Sequence, residues 1–219
     1  VGTVIAMLVQ GSLLAAGILM PIYLQSYMGY SATVSGLVLM PGAILMGIMG
    51  PIAGRLFDTH GPRVLSLIGM TLLTATTFVF AFLGDSTGLA FLIAVYTVRM
   101  FSMSLVNMPI TTWAMNALDN GVLNHGTSVN NTLRQVAGSL GTAILISVST
   151  VATNAAQSST DALHAGIFGV NAAFFVSALL CLAGLAMTIA WVKDKPGDAE
   201  ACDPDNKKRT RSEERRVGK

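Results

Sequence analysis

The stretch Gly50–Leu65 reads GPIAGRLFDTHGPRVL and carries Arg55, Asp58 and Arg63, three of the few charges ahead of the C-terminal tail. Long apolar runs flank it on both sides. The His60-Gly61-Pro62 cluster reads as a tight turn, and Pro62 suits the first turn of the next helix, where its missing N–H costs nothing. The spacing predicts a helix ending across Gly54–Phe57, a short charged connection, and a second helix starting at once. Two apolar helices joined by a charged turn are the signature of a membrane hairpin.

Composition extends that reading to the whole chain. The 219 residues are 53% hydrophobic and 11% charged, with a mean hydropathy of +0.64, where soluble domains carry about 25% charged residues. Ahead of Trp191 the charges are Arg55, Arg63, Arg99 and Arg134 against Asp58, Asp85, Asp119 and Asp161. The net charge of +2 therefore belongs to the tail, and no basic surface for nucleic acid is indicated. Cys181 lies in an apolar run and Cys202 in the tail, which excludes a disulfide framework. The chain opens at Val1 inside a hydrophobic segment, without a basic signal-peptide n-region, and is expected to be a piece of something longer.

A bilayer core of about 30 Å needs roughly 20 apolar residues per helix. Six segments qualify: approximately Val1–Leu24, Thr33–Gly54, Arg63–Leu83, Leu89–Thr112, Asn131–Val151 and Phe168–Val192. Backbone groups in lipid must be paired within the segment, and barrel-like alternation is absent, so the expected fold is all-α, a six-helix polytopic bundle. Connections around 25–32, 84–88 and 152–167 contain no Lys or Arg, whereas the others and the tail hold Arg55, Arg63, Lys193 and Lys195, with Arg134 just inside the fifth helix. Positive residues stay cytoplasmic, so both chain ends are expected on that side.

Polar residues inside the spans mark candidate sites. Gln10, Leu14, Gly17, Pro21 and Gln25 form one stripe of the first helix, and its two amides imply contact with protein or water rather than lipid. Ala43, Gly47, Gly50 and Gly54 give the second helix a small-residue stripe fit for close backbone approach. The threonines of the third helix are expected to bond back to their own helix carbonyls. Arg99 lies mid-membrane in the fourth helix, where it keeps its proton and must meet a partner, carbonyls or a wet cavity. No span contains Asp or Glu, so Arg99 is expected to line an open polar groove with Asn107 and Gln10. On the fifth helix Asn131, Arg134, Gly138 and Gly141 share a face, with Gln135 beside them, so that a polar mouth grades into a packing seam. His60, His125 and His164 fall in three connections and offer no shared metal site. With no nucleophile–base pair or metal ligands at one depth, an enzyme is not indicated.

Gly54, Leu56, Asp58, Gly61 and Arg63 fill the pattern Gly-x-Leu-x-Asp-x-x-Gly-x-Arg, which resembles the loop signature of the major facilitator superfamily. The likeness extends over nearly all of Val1–Val192: Leu19-Met20-Pro21-Ile22-Tyr23-Leu24-Gln25, Asn107-Met108-Pro109 and Asn131-Thr132-Leu133-Arg134-Gln135 follow in order. Together they resemble the C-terminal six helices of the fourteen-helix drug:proton antiporter branch. The family usually places Gly directly after the intramembrane Arg and again two and four residues on, whereas here stand Met100, Ser102 and Ser104, which puts close packing of the fourth helix in question.

The resemblance implies the C-terminal half of a proton-coupled multidrug efflux transporter working by alternating access in the cell membrane, with substrate bound between two bundles. It implies hydrophobic or cationic small-molecule substrates, an N-terminal half as partner, no cofactor, and the proton gradient as energy source. Arg99, Asn107, Gln10 and Gln25 are then transport-path candidates, and Gly54, Arg55, Asp58, Gly61 and Arg63 form the cytoplasmic loop motif. Arg99 cannot titrate, so the proton-carrying acid would lie outside this chain. A uniporter or solute:proton symporter, and a stand-alone oligomeric six-helix module, are the alternatives. The tail, 193–210, is expected to be disordered, and Arg211–Lys219 (RSEERRVGK) resembles the translation of a sequencing adapter, expected to be non-native.

Overall fold

The computed structural model of the protein describes residues 2–85, 87–115, 123–157 and 161–191. The Asp119–Gly121 turn, the tail at 193–210 and the segment 211–219 lie outside the described residues. Six helices long and apolar enough to cross a membrane make up the bundle. They are α1 (Gly2–Ile22), then α2 and α3, the two parts of Ala32–Phe80 divided at Gly61 with membrane spans Ala32–Phe57 and Arg63–Phe80, then α4 (Leu89–Met115), α5 (Leu123–Gln157) and α6 (Ala162–Trp191).

The charged hairpin is tighter than the sequence predicts. Helical structure runs through Ala32–Phe80 with one interruption, Gly61, at φ 77° and ψ 166°. Gly54 and Phe57 remain helical, and the Thr59 hydroxyl still donates to the Leu56 carbonyl at 3.0 Å. The expected end at Gly54–Phe57 is therefore corrected to Gly61. An isolated glycine costs a helix only about 1 kcal/mol, whereas the backbone at Gly61 occupies a region that is essentially closed to residues with a Cβ.

α5 begins at Leu123 and α6 at Ala162, each earlier than the apolar runs imply. Apolarity marks only the stretch that lies in lipid, and helices continue beyond it. At the other end of α1, Pro21 lacks the N–H that would bond the Gly17 carbonyl, and the helix widens into a π turn at Tyr23–Tyr27. There the Met28 N–H donates to the Tyr23 carbonyl at 3.0 Å.

Each helix turns one stripe inward. On α1 the buried stripe is Ile5, Val9, Ser12, Ala16 and Leu19. Large apolar side chains also cover the outside: Leu37, Met40, Ile44, Ile48 and Ile52 are exposed along α2, and Phe168, Phe175, Leu179 and Leu182 along α6. A soluble monomer rarely shows apolar patches beyond a few hundred Å², and these stripes suit lipid. The protein is a multi-pass membrane protein.

Close crossings use glycines, though not those of the α2 stripe. Gly47 and Gly50 have nothing within 4 Å of a Cβ position, so the expected seam there is not used within the bundle. Gly42 instead receives Tyr96 and Met100, at 2.8 and 2.9 Å from where its Cβ would stand, and Gly69 receives Val106, Leu105 and the Ser102 carbonyl. The glycines missing from α4 are thus replaced by glycines on its neighbours, and the fourth helix does pack closely. α1 and α5 meet backbone to backbone, a Cβ on Gly141 falling 3.1 Å from the Gly11 Cα. Three of the four third-helix threonines behave as predicted, with Thr74, Thr76 and Thr77, though not Thr71, donating to Met70, Leu72 and Leu73 carbonyls at 2.8, 2.9 and 2.7 Å.

At the end away from Arg55 and Arg63, the connection after α3 is clamped from two sides. The Tyr23 hydroxyl donates to the Gly84 carbonyl at 2.6 Å, and the Asn171 amide donates to the Leu83 carbonyl at 2.7 Å.

Candidate functional site

Three helices bring polar side chains together toward the end of the bundle that carries Arg55 and Arg63. Arg134 of α5 donates to the Gln10 amide oxygen at 3.1 Å, to the Thr111 hydroxyl at 3.1 Å and to the Asn107 amide oxygen. Gln10 in turn donates to the Gln135 amide oxygen at 3.4 Å. These bonds occupy three of the five guanidinium donors, and none of the acceptors is charged. The carboxylates whose side chains are described, Asp85 and Asp161, stand at the opposite end of the bundle, where Asp85 lies 3.6 Å from His164. Direct contact between α4 and α5 is otherwise slight, so Arg134 spans the gap between them.

The cluster opens on both sides. A recess of about 300 Å³ is lined by Gln10, Asn131, Arg134 and Gln135, and another of about 550 Å³ by Arg134, Asn107, Ser104 and the Gly50–Pro51 corner of α2. One turn further along the same helices lies a larger recess of about 690 Å³. Leu14, Ile18, Tyr96, Met100 and Ile146 give it an apolar wall, and Ser139 and Thr142 supply hydroxyls. The Thr142 hydroxyl is already donated to the Gly138 carbonyl at 2.8 Å. The site thus grades from a cation and amides at one end to an apolar trough at the other.

Arg99 is not part of this groove, and the expectation that it lines one with Asn107 and Gln10 is corrected. It is 0% exposed, inside the bundle. One guanidinium nitrogen donates to the Ser12 carbonyl at 2.9 Å and to the Ser12 hydroxyl at 2.8 Å. Ser12 also pairs with the Ser177 hydroxyl at 3.0 Å and takes a 3.4 Å contact from the Cys181 thiol. Nε and the other terminal nitrogen have no partner among the described residues. Arg99 ties α4 to α1 and, through Ser12, to α6.

Ser12 and Thr111 escaped sequence reasoning. Ser12 had a readable signal, a hydroxyl within an otherwise apolar inward stripe, whereas Thr111 lies one turn after Asn107 and gains meaning only from Arg134. Of the remaining candidates, Gln25 is exposed in the π turn and Asn131 is exposed at the mouth beside Arg134. Arg55 and Arg63 are exposed on either side of Gly61, Gly54 lies on the last turns of α2, and the Asp58 side chain lies outside the described residues. Among the described residues no three His, Cys, Asp or Glu side chains converge for a metal.

This bundle, apolar outside and opened along one polar-to-apolar face, is one unit of a polytopic membrane protein. The chain belongs to the Major Facilitator Superfamily, whose family model matches residues 2–142. The MFS-type transporter YcnB of Bacillus subtilis is 41% identical over 192 residues, which cover 87% of this chain and 40% of that protein. The lincomycin resistance protein LmrB of Listeria monocytogenes is 38% identical over 136 residues, 62% of this chain and 29% of that protein. The riboflavin transporter RibZ of Clostridioides difficile is 23% identical over 193 residues, 88% and 42% respectively. The chain therefore spans less than half the length of these curated relatives.

Proposed function

We propose that the bundle is the C-terminal half of a multidrug efflux transporter that works by alternating access and is driven by the proton gradient. The observation that carries the reading is the open face of α1, α2, α4 and α5, which gathers polar groups and an apolar trough where a lipid-facing wall would have neither. A second bundle placed against this face would enclose a substrate near mid-membrane. The similarity to LmrB, a lincomycin resistance protein, supports drug efflux, and that to RibZ, a riboflavin transporter, favours a second reading, a carrier dedicated to one solute.

Hydrophobic small molecules suit the trough. Any cationic preference would draw its counter-charge from outside these spans, because none of the six holds an Asp or Glu. In the same reading the titrating acid belongs to the other half, and no cofactor is required. In this reading the loop around Gly61 and both chain ends face the cytoplasm.

The test uses the complete transporter in everted membrane vesicles. An imposed proton gradient should drive movement of at least two chemically unrelated hydrophobic drugs from a panel that includes ethidium and lincomycin, and a protonophore should abolish it. Movement of a single nutrient alone would establish the second reading, and uptake indifferent to the protonophore would refute proton coupling.

A further inference from the structure

We infer that the groove takes an amphipathic anion, its acidic group at Arg134 and its apolar body in the trough between α1, α4 and α5. The inference rests on the transport reading above and names the substrate class of that site.

All three helices carry the same gradient in the same direction. On α5, Arg134 and Gln135 give way one turn later to Ser139, then to Ala143 and Ile146. On α1, Gln10 gives way to Leu14 and Ile18. On α4, read backwards, Asn107 gives way to Met100 and Tyr96. A recess of about 690 Å³ lies within the range that holds drug-sized ligands.

Charge decides the class. Arg134 is only partly buried and borders two recesses at once. Its three acceptors are neutral, so among the described residues the cation is oriented but not neutralised. A planar guanidinium with donors left over matches a carboxylate, sulfonate or phosphate group. A cationic head would meet repulsion here and find no carboxylate in the spans.

Two probes with one apolar body separate charge from shape: 1-anilinonaphthalene-8-sulfonate and uncharged N-phenyl-1-naphthylamine. Binding is measured by equilibrium dialysis with the complete transporter in phosphatidylcholine nanodiscs, empty nanodiscs serving as the blank. The sulfonate should bind at least about tenfold more tightly than the neutral probe, as one charge-assisted contact supplies. Arg134→Gln should collapse that ratio to about twofold or less, and Arg134→Lys should keep part of it, a point charge lacking the fork.

Equal binding of the two probes by the wild type overturns the inference and leaves Arg134 to pair with a carboxylate outside this chain. A ratio unchanged in Arg134→Gln overturns it as well. Loss of the sulfonate preference when phosphatidylglycerol replaces a third of the lipid would show that a headgroup, not a solute, is the occupant. If Arg134→Gln does not fold, the wild-type ratio and Arg134→Lys still decide. Ethidium transport without sulfonate preference defeats this inference alone, whereas sulfonate preference without transport of any probe defeats the transport reading.

Discussion

A guanidinium that keeps two nitrogens, three N–H donors in all, without a partner among the described residues is an expensive thing to bury, and Arg99 does so behind Ser12. Ser12→Ala would remove one acceptor from Arg99 and the hydroxyl partner of Ser177, at a cost of about 1–3 kcal/mol. The detergent-solubilised transporter should then melt several degrees lower. Arg99→Met keeps much of the volume and removes the charge, and such replacements of buried ions are often neutral or stabilising. Its melting temperature should match or exceed that of the wild type. A collapse would mean that the charge is compensated from outside this chain. Arg99 and Asn107 are eight positions apart, which is about 80° of helix rotation. A count of turns along α4 places them on similar faces, yet that angle puts one in the bundle interior and the other in the groove. Gln10 and Ser12 are separated by about 200° on α1, so the polar residue that reaches Arg99 lies on the face opposite the readable amide stripe.

Helix contacts give sharper expectations, because space around each glycine is known. Gly141→Val should push α5 off Gly11 and lower stability by about 1–3 kcal/mol, with the Arg134–Gln10 bond one to two turns away disturbed as well. Gly50→Ala meets nothing within 4 Å and should leave the melting temperature of the bundle unchanged or slightly raised, alanine being the better helix former by up to about 1 kcal/mol. Gly61→Ala places a Cβ at φ 77°, a strain on the order of 1–3 kcal/mol, and thermal unfolding measures all three variants together. Helix number and the α5 seam were legible because hydropathy and the Asn131–Arg134–Gly138–Gly141 spacing encode them along one helix. The packing of α4 was not, since its close approach depends on Gly42 and Gly69, residues on other helices whose pairing with Met100 and Ser102 is a tertiary fact.

In the intact transporter, the proposed topology puts the Gly61 hairpin and the stretch after Trp191 on one side of the membrane. Cys202 then reacts with a membrane-impermeant maleimide in everted vesicles and not in intact cells, while buried Cys181 stays unlabelled in both. Labelling of Cys202 from outside would invert the topology. We propose that Asp58 and Arg63, on either side of Gly61, latch the inside-closed state; Asp58→Asn should then slow efflux without preventing membrane insertion, and normal efflux at matched expression would refute the latch. Basic residues made sidedness readable as an expectation, whereas the direction in which the groove opens depended on which stripes remain uncovered after packing.

The wide turn at Tyr23–Tyr27 holds one residue more than an α turn would. Loss of a single residue there would restore ordinary winding and leave Gln10 and Ser12 in register with their partners. The same deletion between Ser12 and Ile22 would swing one part of α1 by about 100° against the other, taking either Ser12 from Arg99 or Tyr23 from Gly84. Length differences between relatives in this helix should therefore collect at 23–27, where a gap in an alignment is tolerated.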